Sequence, residues 1–245
     1  MTELESFSVN NMGVQLRVYA MGPPHAPPLV ALHGMQDVAL SLRPVVDQLA
    51  TDFRVYLPEM RGHGSSDRPG HYSMLSYVFD LHRVLDTLNL EAPMILGHSL
   101  GGQLAIRLAA MFPTRVKSLV AVEALGPPFP SQSTDTTETM QAEGRRLLAT
   151  FSAHDRTLAS REDAASRLRA NNPRLDDARS LWLATLLTED GDDGQLRWAF
   201  DTRVRGIFIG PEDAYRYWPH VQCPTLLMFG EHSHEYWSSV LPSTD

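Results

Sequence analysis

The chain has 245 residues, 43% of them hydrophobic and 20% charged, which suits one large domain or a core domain carrying an insertion. Acidic residues outnumber Lys and Arg by 29 to 21, and the net charge of −8 comes with no basic cluster. That excludes nucleic acid as a main partner, because phosphate binding needs clustered cations. No apolar run approaches the ~20 residues of a membrane span, and the N-terminal "MTELESFSVNN" lacks the apolar core of a signal peptide. One cysteine, Cys223, allows no disulfide within the chain and reads as a small packing residue. The expectation is a cytoplasmic protein with no membrane partner.

In chain order, "GVQLRVYA" (Gly13–Ala20) alternates like a half-exposed strand, and "PPLVALHG" (Pro27–Gly34) is a short apolar run suited to burial on both faces. Leu42, Val45, Val46 and Leu49 recur at helical spacing. "FRVYLPEM" (Phe53–Met60) predicts a strand, and Val78, Leu81, Leu85 and Leu88 mark a helix. "PMILGHS" (Pro93–Ser99) predicts a strand, Leu100–Met111 a helix, and "VKSLVAVEA" (Val116–Ala124) another strand. This alternation predicts an α/β fold, a mostly parallel sheet with helices on both faces.

The rhythm changes after Gly126. "GPPFPSQSTDTTET" reads as a linker, and helices follow without strands between them. One lies near Glu138–Phe151. A second opens on the capping box Ser160-Arg161-Glu162-Asp163 and ends near Asn171-Asn172-Pro173, and a third runs through Leu175–Leu187. "EDGDDG" (Glu189–Gly194) lacks the spaced ligands of a calcium loop and reads as a solvated acidic turn. "CPTLLMFG" (Cys223–Gly230) returns to the strand type of the core. The simplest division is a core of residues 1–125 and 220–245, interrupted by a helical cap at 126–219.

Gly97-His98-Ser99-Leu100-Gly101 matches G-x-S-x-G, set between a predicted strand and a predicted helix. So sharp a turn strains the serine backbone and is tolerated only where its neighbours lack bulk, hence Gly97 and Gly101. It lifts the Ser99 hydroxyl above the sheet edge, over a helix N-terminus whose first amide, on Leu100, can receive an oxyanion. The chemistry this predicts is acyl transfer through an acyl-enzyme on Ser99.

"LHGMQD" (Leu32–Asp37), "RGHGSSDRP" (Arg61–Pro69) and "GHSLGG" occur in an order in which residues 25–125 resemble the α/β-hydrolase superfamily. "REDAASRLRANNPRL", "LRWAFDTRV" and "CPTLLMFGEHS" are similar, more loosely, to the cap and rejoining strand of its serine-hydrolase-like subgroup. The resemblance implies the α/β-hydrolase fold with an inserted helical cap, Met35 as the second oxyanion-hole amide beside Leu100, and no cofactor or metal. Serine at the nucleophile position points away from the haloalkane dehalogenases and epoxide hydrolases of this fold. It points toward a small-molecule acyl substrate: an ester, thioester, lactone or cleavable carbon–carbon bond. Glu59 stands where an Asp is common. His33 and His63 are read as shaping their loops through backbone hydrogen bonds, and the cap arginines and Trp198 as packing or solvated residues before pocket-lining ones.

In the family the acid is the Asp of a G-x-x-D pattern after the rejoining strand. Here that stretch is Gly230-Glu231-His232-Ser233, with Ser233 at the Asp position. Two substitutes stand close: Glu123, ending the strand after the nucleophile helix, where some members carry the acid, and Glu231. Glu123 is preferred. The family's histidine base lies in a Gly-His loop beyond one more strand, and only fifteen residues follow Gly230. The chain therefore reads as C-terminally truncated, with the last strand and helix missing; His232 and His234 are near the right edge but off the family position. "TLLMF" (Thr225–Phe229) is then left as an exposed edge strand, open to pairing in a homo-oligomer. The leading expectation is a serine hydrolase acting on a small ester or related acyl substrate. The alternative is a non-catalytic or weakly active hydrolase-fold protein that binds a small ligand or pairs through its edge strand. A cofactor-free haloperoxidase-type activity would use the same serine machinery.

Overall fold

A computed structural model of the chain describes residues 4–124, 136–152, 157–191, 193–207 and 215–233. The first two strands, β1 (Glu5–Asn11) and β2 (Val14–Met21), form an antiparallel hairpin turned at Met12 and Gly13, which take φ of 53° and 91°. Then come β3 (Pro28–Leu32), α1 (Arg43–Leu49), β4 (Arg54–Pro58), α2 (Met74–Thr87), β5 (Met94–His98), α3 (Leu100–Met111) and β6 (Ser118–Val122). α4 (Thr136–Phe151), α5 (Arg161–Asn171), α6 (Asp177–Leu187), β7 (Thr188–Asp190) and β8 (Leu196–Trp198) precede the returning strand β9 (Thr225–Met228).

Among the described residues seven strands make the main sheet, in the order β1-β2-β4-β3-β5-β6-β9. From β4 to β9 every pairing is parallel, and β2 joins β4 antiparallel. The expected mostly parallel sheet is therefore present, with an antiparallel hairpin at one edge. Strand periodicity divides the core in two. Leu29 and Ala31 face Val46 and Ala50 at α1, whereas Val30 and Leu32 face the other way, toward Tyr77, Leu81 and Leu85 of α2 and Leu104 and Leu108 of α3. Helices thus cover both faces, and α3, buried along Leu100–Ala109, is the innermost.

The chain moves from β3 to β4 on one side and resumes at β5 on the other. That reversal opens a crevice at the carboxyl ends of β3 and β5, where open α/β sheets place their ligands.

Between β6 and β9 the structure departs from the expectation of helices alone. Thr188–Asp190 and Leu196–Trp198 pair as an antiparallel hairpin, with the acidic "EDGDDG" stretch at its bend. Gly194 at φ 72° and the Gly191 N–H bonded to Gln195 O (2.9 Å) close the turn, and Arg197 pairs with Asp193 at 2.5 Å. Three-residue strands flanking a glycine bend carry too little periodicity to show in the sequence. α5 and α6 begin as their capping residues predict: Ser160 accepts from the Asp163 N–H, and Asp176 from the Arg179 N–H. Most of the expected linker, residues 126–135, lies outside the described residues.

The segment 199–203 ties this region to the core. Gly64 N–H donates to Ala199 O (2.6 Å), Asp201 N–H donates to Gly62 O (2.7 Å), and the Tyr72 hydroxyl donates to the Asp201 carboxylate (2.6 Å), which also takes the Arg203 guanidinium. Among the described residues no helix is long and apolar enough to cross a membrane.

Candidate active site

Ser99 joins β5 to α3 with φ 50° and ψ −114°, a conformation that L-residues rarely adopt. Its N–H donates to Val122 O (2.8 Å), so the turn is fastened to the end of β6. Its side chain is half-buried, and among the described residues its hydroxyl makes no hydrogen bond. Behind it, α3 begins at Leu100. The opening N–H groups of a helix have no carbonyl partner within it, and together with the helix dipole they favour negative charge at this end.

Close approach explains the glycines. A Cβ on Gly101 would lie 2.5 Å from Leu32 O and 2.6 Å from His33 O, so the first turn of α3 rests directly on the backbone leaving β3. A Cβ on Gly34 would sit 3.6 Å from Ser99 Cβ and 3.1 Å from His98 Nδ1. The turn that carries Met35 therefore runs alongside the serine, and Met35 and Leu100 flank it from two different elements.

Three buried side chains hold that turn. His33 Nδ1 lies 2.8 Å from Gly34 O, and its Nε2 accepts the Met60 N–H at 3.1 Å. His63 Nδ1 lies 3.0 Å from Arg61 O, and its Nε2 accepts the Gln36 N–H at 3.2 Å. A Glu59 carboxyl oxygen accepts the Ala39 N–H at 2.9 Å and lies 3.3 Å from His33 Nε2. Burial lowers His33 to a pKa of about 4 and His63 to about 3, and it raises Glu59 to about 8. Both histidines shape loops through backbone bonds, and neither can serve as a proton acceptor for Ser99.

On the other flank, Glu123 follows β6 at φ 52°, with its N–H donating to Met228 O (2.9 Å). One carboxylate oxygen accepts the Gly230 N–H at 2.6 Å and the Ser233 hydroxyl at 2.7 Å. The structure thus brings Glu123 to the loop after β9 and bonds it to the serine that occupies the expected Asp position. Glu231 opens a short 3₁₀ turn in the same loop and is exposed. The side chain of His232 and the whole of His234 lie outside the described residues. Trp198 stacks on Phe200 (5.6 Å between ring centres) and packs against α5 and α6, as a packing residue. Cys223 is half-buried against the core as a free thiol.

Sequence reasoning did not anticipate the work of Glu59, nor that Ser233 and the Gly230 amide would donate to Glu123. The signal for Glu59 was a carboxylate in an otherwise apolar strand end. The signal for Ser233 was its place in the acid pattern. Among the described residues no group of three His, Cys, Asp or Glu side chains could hold a metal.

The family model described as alpha/beta hydrolase fold matches residues 27–234. A serine hydrolase-like protein from Danio rerio is 31% identical over 186 residues, covering 74% of this chain and 57% of its own length. A 2-hydroxy-6-oxo-2,4-heptadienoate hydrolase from Pseudomonas putida is 30% identical over 204 residues, covering 76% of this chain and 72% of its own. The chain thus spans little more than half of the zebrafish relative. Among solved structures, a thioesterase domain from the curacin biosynthetic pathway superposes with a TM-score of 0.78 at 26% identity, over 94% of this chain and 84% of that one.

Proposed function

Because the chain belongs to the alpha/beta hydrolase fold family, we propose that it is a serine hydrolase acting on a small ester or related acyl substrate. The observation that carries this reading is Ser99 itself. It is held at φ 50° on the turn between β5 and α3, half-buried and with no hydroxyl hydrogen bond among the described residues, with the Gly34–Met35 turn alongside. In the proposed reaction the Ser99 hydroxyl attacks the substrate carbonyl carbon and gives its proton to a base. The tetrahedral oxyanion takes the Leu100 and Met35 amides as donors. Collapse expels the protonated leaving group and leaves an acyl ester on Ser99, and water then releases the acid. Glu123 is the acid that orients the base. No described residue supplies the base, and His232 and His234 are the positions to test for it.

The names of the relatives suggest the first compounds to assay: 2-hydroxy-6-oxo-dienoates, thioesters and simple esters. A fluorophosphonate probe tests the nucleophile. Labelling should map to Ser99, vanish in Ser99→Ala, and accompany turnover of p-nitrophenyl esters with a preference among acyl lengths. No labelling of the folded protein would reject the reading. It would favour a second one, a ligand-binding or self-pairing protein of this fold, for which the exposed Leu226, Leu227 and Met228 on β9 speak.

A further inference from the structure

We propose that Glu59 is a positioning residue for the oxyanion hole, its buried carboxyl group clamping the Gly34–Ala39 turn from behind. This rests on the serine-hydrolase reading for its catalytic meaning, but the clamp itself is built from geometry. The turn is held at three backbone atoms: Gly34 O by His33, Gln36 N–H by His63, and Ala39 N–H by Glu59. Met35 lies between the first two, so its amide points where its tethered neighbours direct it. Gln36 takes a φ of 60°, which a non-glycine residue keeps only when its surroundings impose it.

Glu59 is the hub of the clamp. Beyond the Ala39 N–H it reaches His33, whose ring meets that of His63 edge-on at 4.9 Å. Its own N–H donates to Arg17 O on β2 (2.8 Å), and its carbonyl accepts the Ser66 hydroxyl (2.7 Å). A Cβ on Gly64 would collide with its carboxyl group, so the loop after β4 is folded around it. The side chain is 3% exposed.

The charges facing this carboxyl are few. His33 and His63 are buried and neutral at physiological pH. Asp37 on the turn opposes ionisation, whereas the Ala39 N–H and, more weakly, Arg68 favour it. Arg68 is itself paired to Glu189 at 2.6 Å. Ionisation near pH 8 would therefore place an uncompensated charge against the turn. An opened turn would hydrate the carboxyl and release its proton, so the clamp weakens as the pH rises from 4.5 toward 8 and changes little above it.

The test compares wild type, Glu59→Gln and Glu59→Ala. Amide hydrogen exchange at Gln36 and Ala39 is followed from pH 6 to pH 9.5, corrected for the intrinsic base catalysis of exchange. kcat and KM for a p-nitrophenyl ester are followed over the same range. The wild type should lose protection as the pH rises toward 8 and level off beyond it, with KM nearly constant. Glu59→Gln, which keeps a neutral acceptor, should hold kcat within about threefold at pH 7 and abolish the loss of protection with rising pH. Glu59→Ala should lose protection at every pH and drop kcat by about 10²-fold, the scale of a lost oxyanion donor. If Gln behaves like Ala at pH 7, or keeps the loss of protection with rising pH, the clamp is overturned. Glu59→Gln is nearly isosteric and decides the matter alone if Glu59→Ala does not fold. Protection is read without turnover, so a protein inert toward probe and esters defeats the functional reading, while exchange still decides the clamp.

Discussion

At the scale of single residues, the site is built from conformations and contacts that most side chains cannot accept. Ser99 sits at φ 50° and ψ −114°, which costs an L-residue on the order of 1–3 kcal/mol and which glycine occupies freely. Two variants without the hydroxyl separate this strain from the loss of the nucleophile. Ser99→Gly should be more stable than Ser99→Ala by about 1 kcal/mol in urea denaturation, although glycine ordinarily loses to alanine because its unfolded chain has more freedom. Equal stability, or the reverse order, would show that the turn is relaxed. Glu123 at φ 52° has the same character on the opposite flank. There the backbone is held through Met228 O, and the carboxylate through Gly230 and Ser233.

At the scale of elements, what matters is which backbone rests on which. The first turn of α3 lies against the exit of β3, and the loop after β4 is pinned to α2 by Arg61, whose guanidinium bonds both oxygens of Asp80 at 2.5 and 2.6 Å while Asn11 of β1 adds a third bond at 2.7 Å. The other end of the sheet is less protected. Among the described residues β9 is the last strand of the order, and Leu226, Leu227 and Met228 on it are 56%, 37% and 47% exposed, an apolar edge of the kind that invites pairing. A second copy of the chain is the occupant proposed here. Sedimentation velocity should show a concentration-dependent dimer that Leu226→Lys together with Met228→Lys converts to monomer without change in the circular dichroism spectrum. A monomeric wild type at high concentration would remove the proposal.

At the scale of the whole molecule, the three buried groups behind the oxyanion turn set how stability depends on pH. His33 and His63 are depressed from 6.5 to about 4 and about 3, so the unfolded chain takes up protons before the folded one does. Their stabilisation is present above pH 6.5 and is lost as the pH falls toward 4 and 3. Glu59 runs the other way. Raised from 4.5 to about 8, it contributes fully below pH 4.5 and loses that contribution as the pH climbs through about 8. Two histidines outweigh one glutamate below 6.5, and only the glutamate changes above it. Stability should therefore peak near pH 6.5, fall by a few kcal/mol toward pH 4 and toward pH 8, and level off above pH 8, at roughly 1.4 kcal/mol per unit of each gap as an upper bound. Urea midpoints across this range provide the check. In Glu59→Gln the alkaline fall should disappear and the acid fall remain.

The same scale shows how far the sequence could be read. The parallel core was legible because its strands are short apolar runs between helical repeats, and burial on both faces leaves that mark on composition. Leu100–Met111 was read to its ends for the same reason. The hairpin of β7 and β8 was not legible, since three-residue strands have no measurable period, and neither was β1, whose inward positions include Asn11 beside Val9. Ser99 was legible because its glycine frame is local, needing only a strand before it and a helix after it. Glu59 and Ser233 were not, because each acts on a partner brought to it by β3, β4, β6 or β9; that His33 and His63 bond the backbone was expected, but not which atoms they hold. The amino-acid order by itself determined the sheet and the strained serine turn. Only the tertiary structure decided which carboxyl faces the rejoining loop and which lies behind the oxyanion turn. Burial and hydrogen bonding are properties of neighbours in space, and local sequence does not record them.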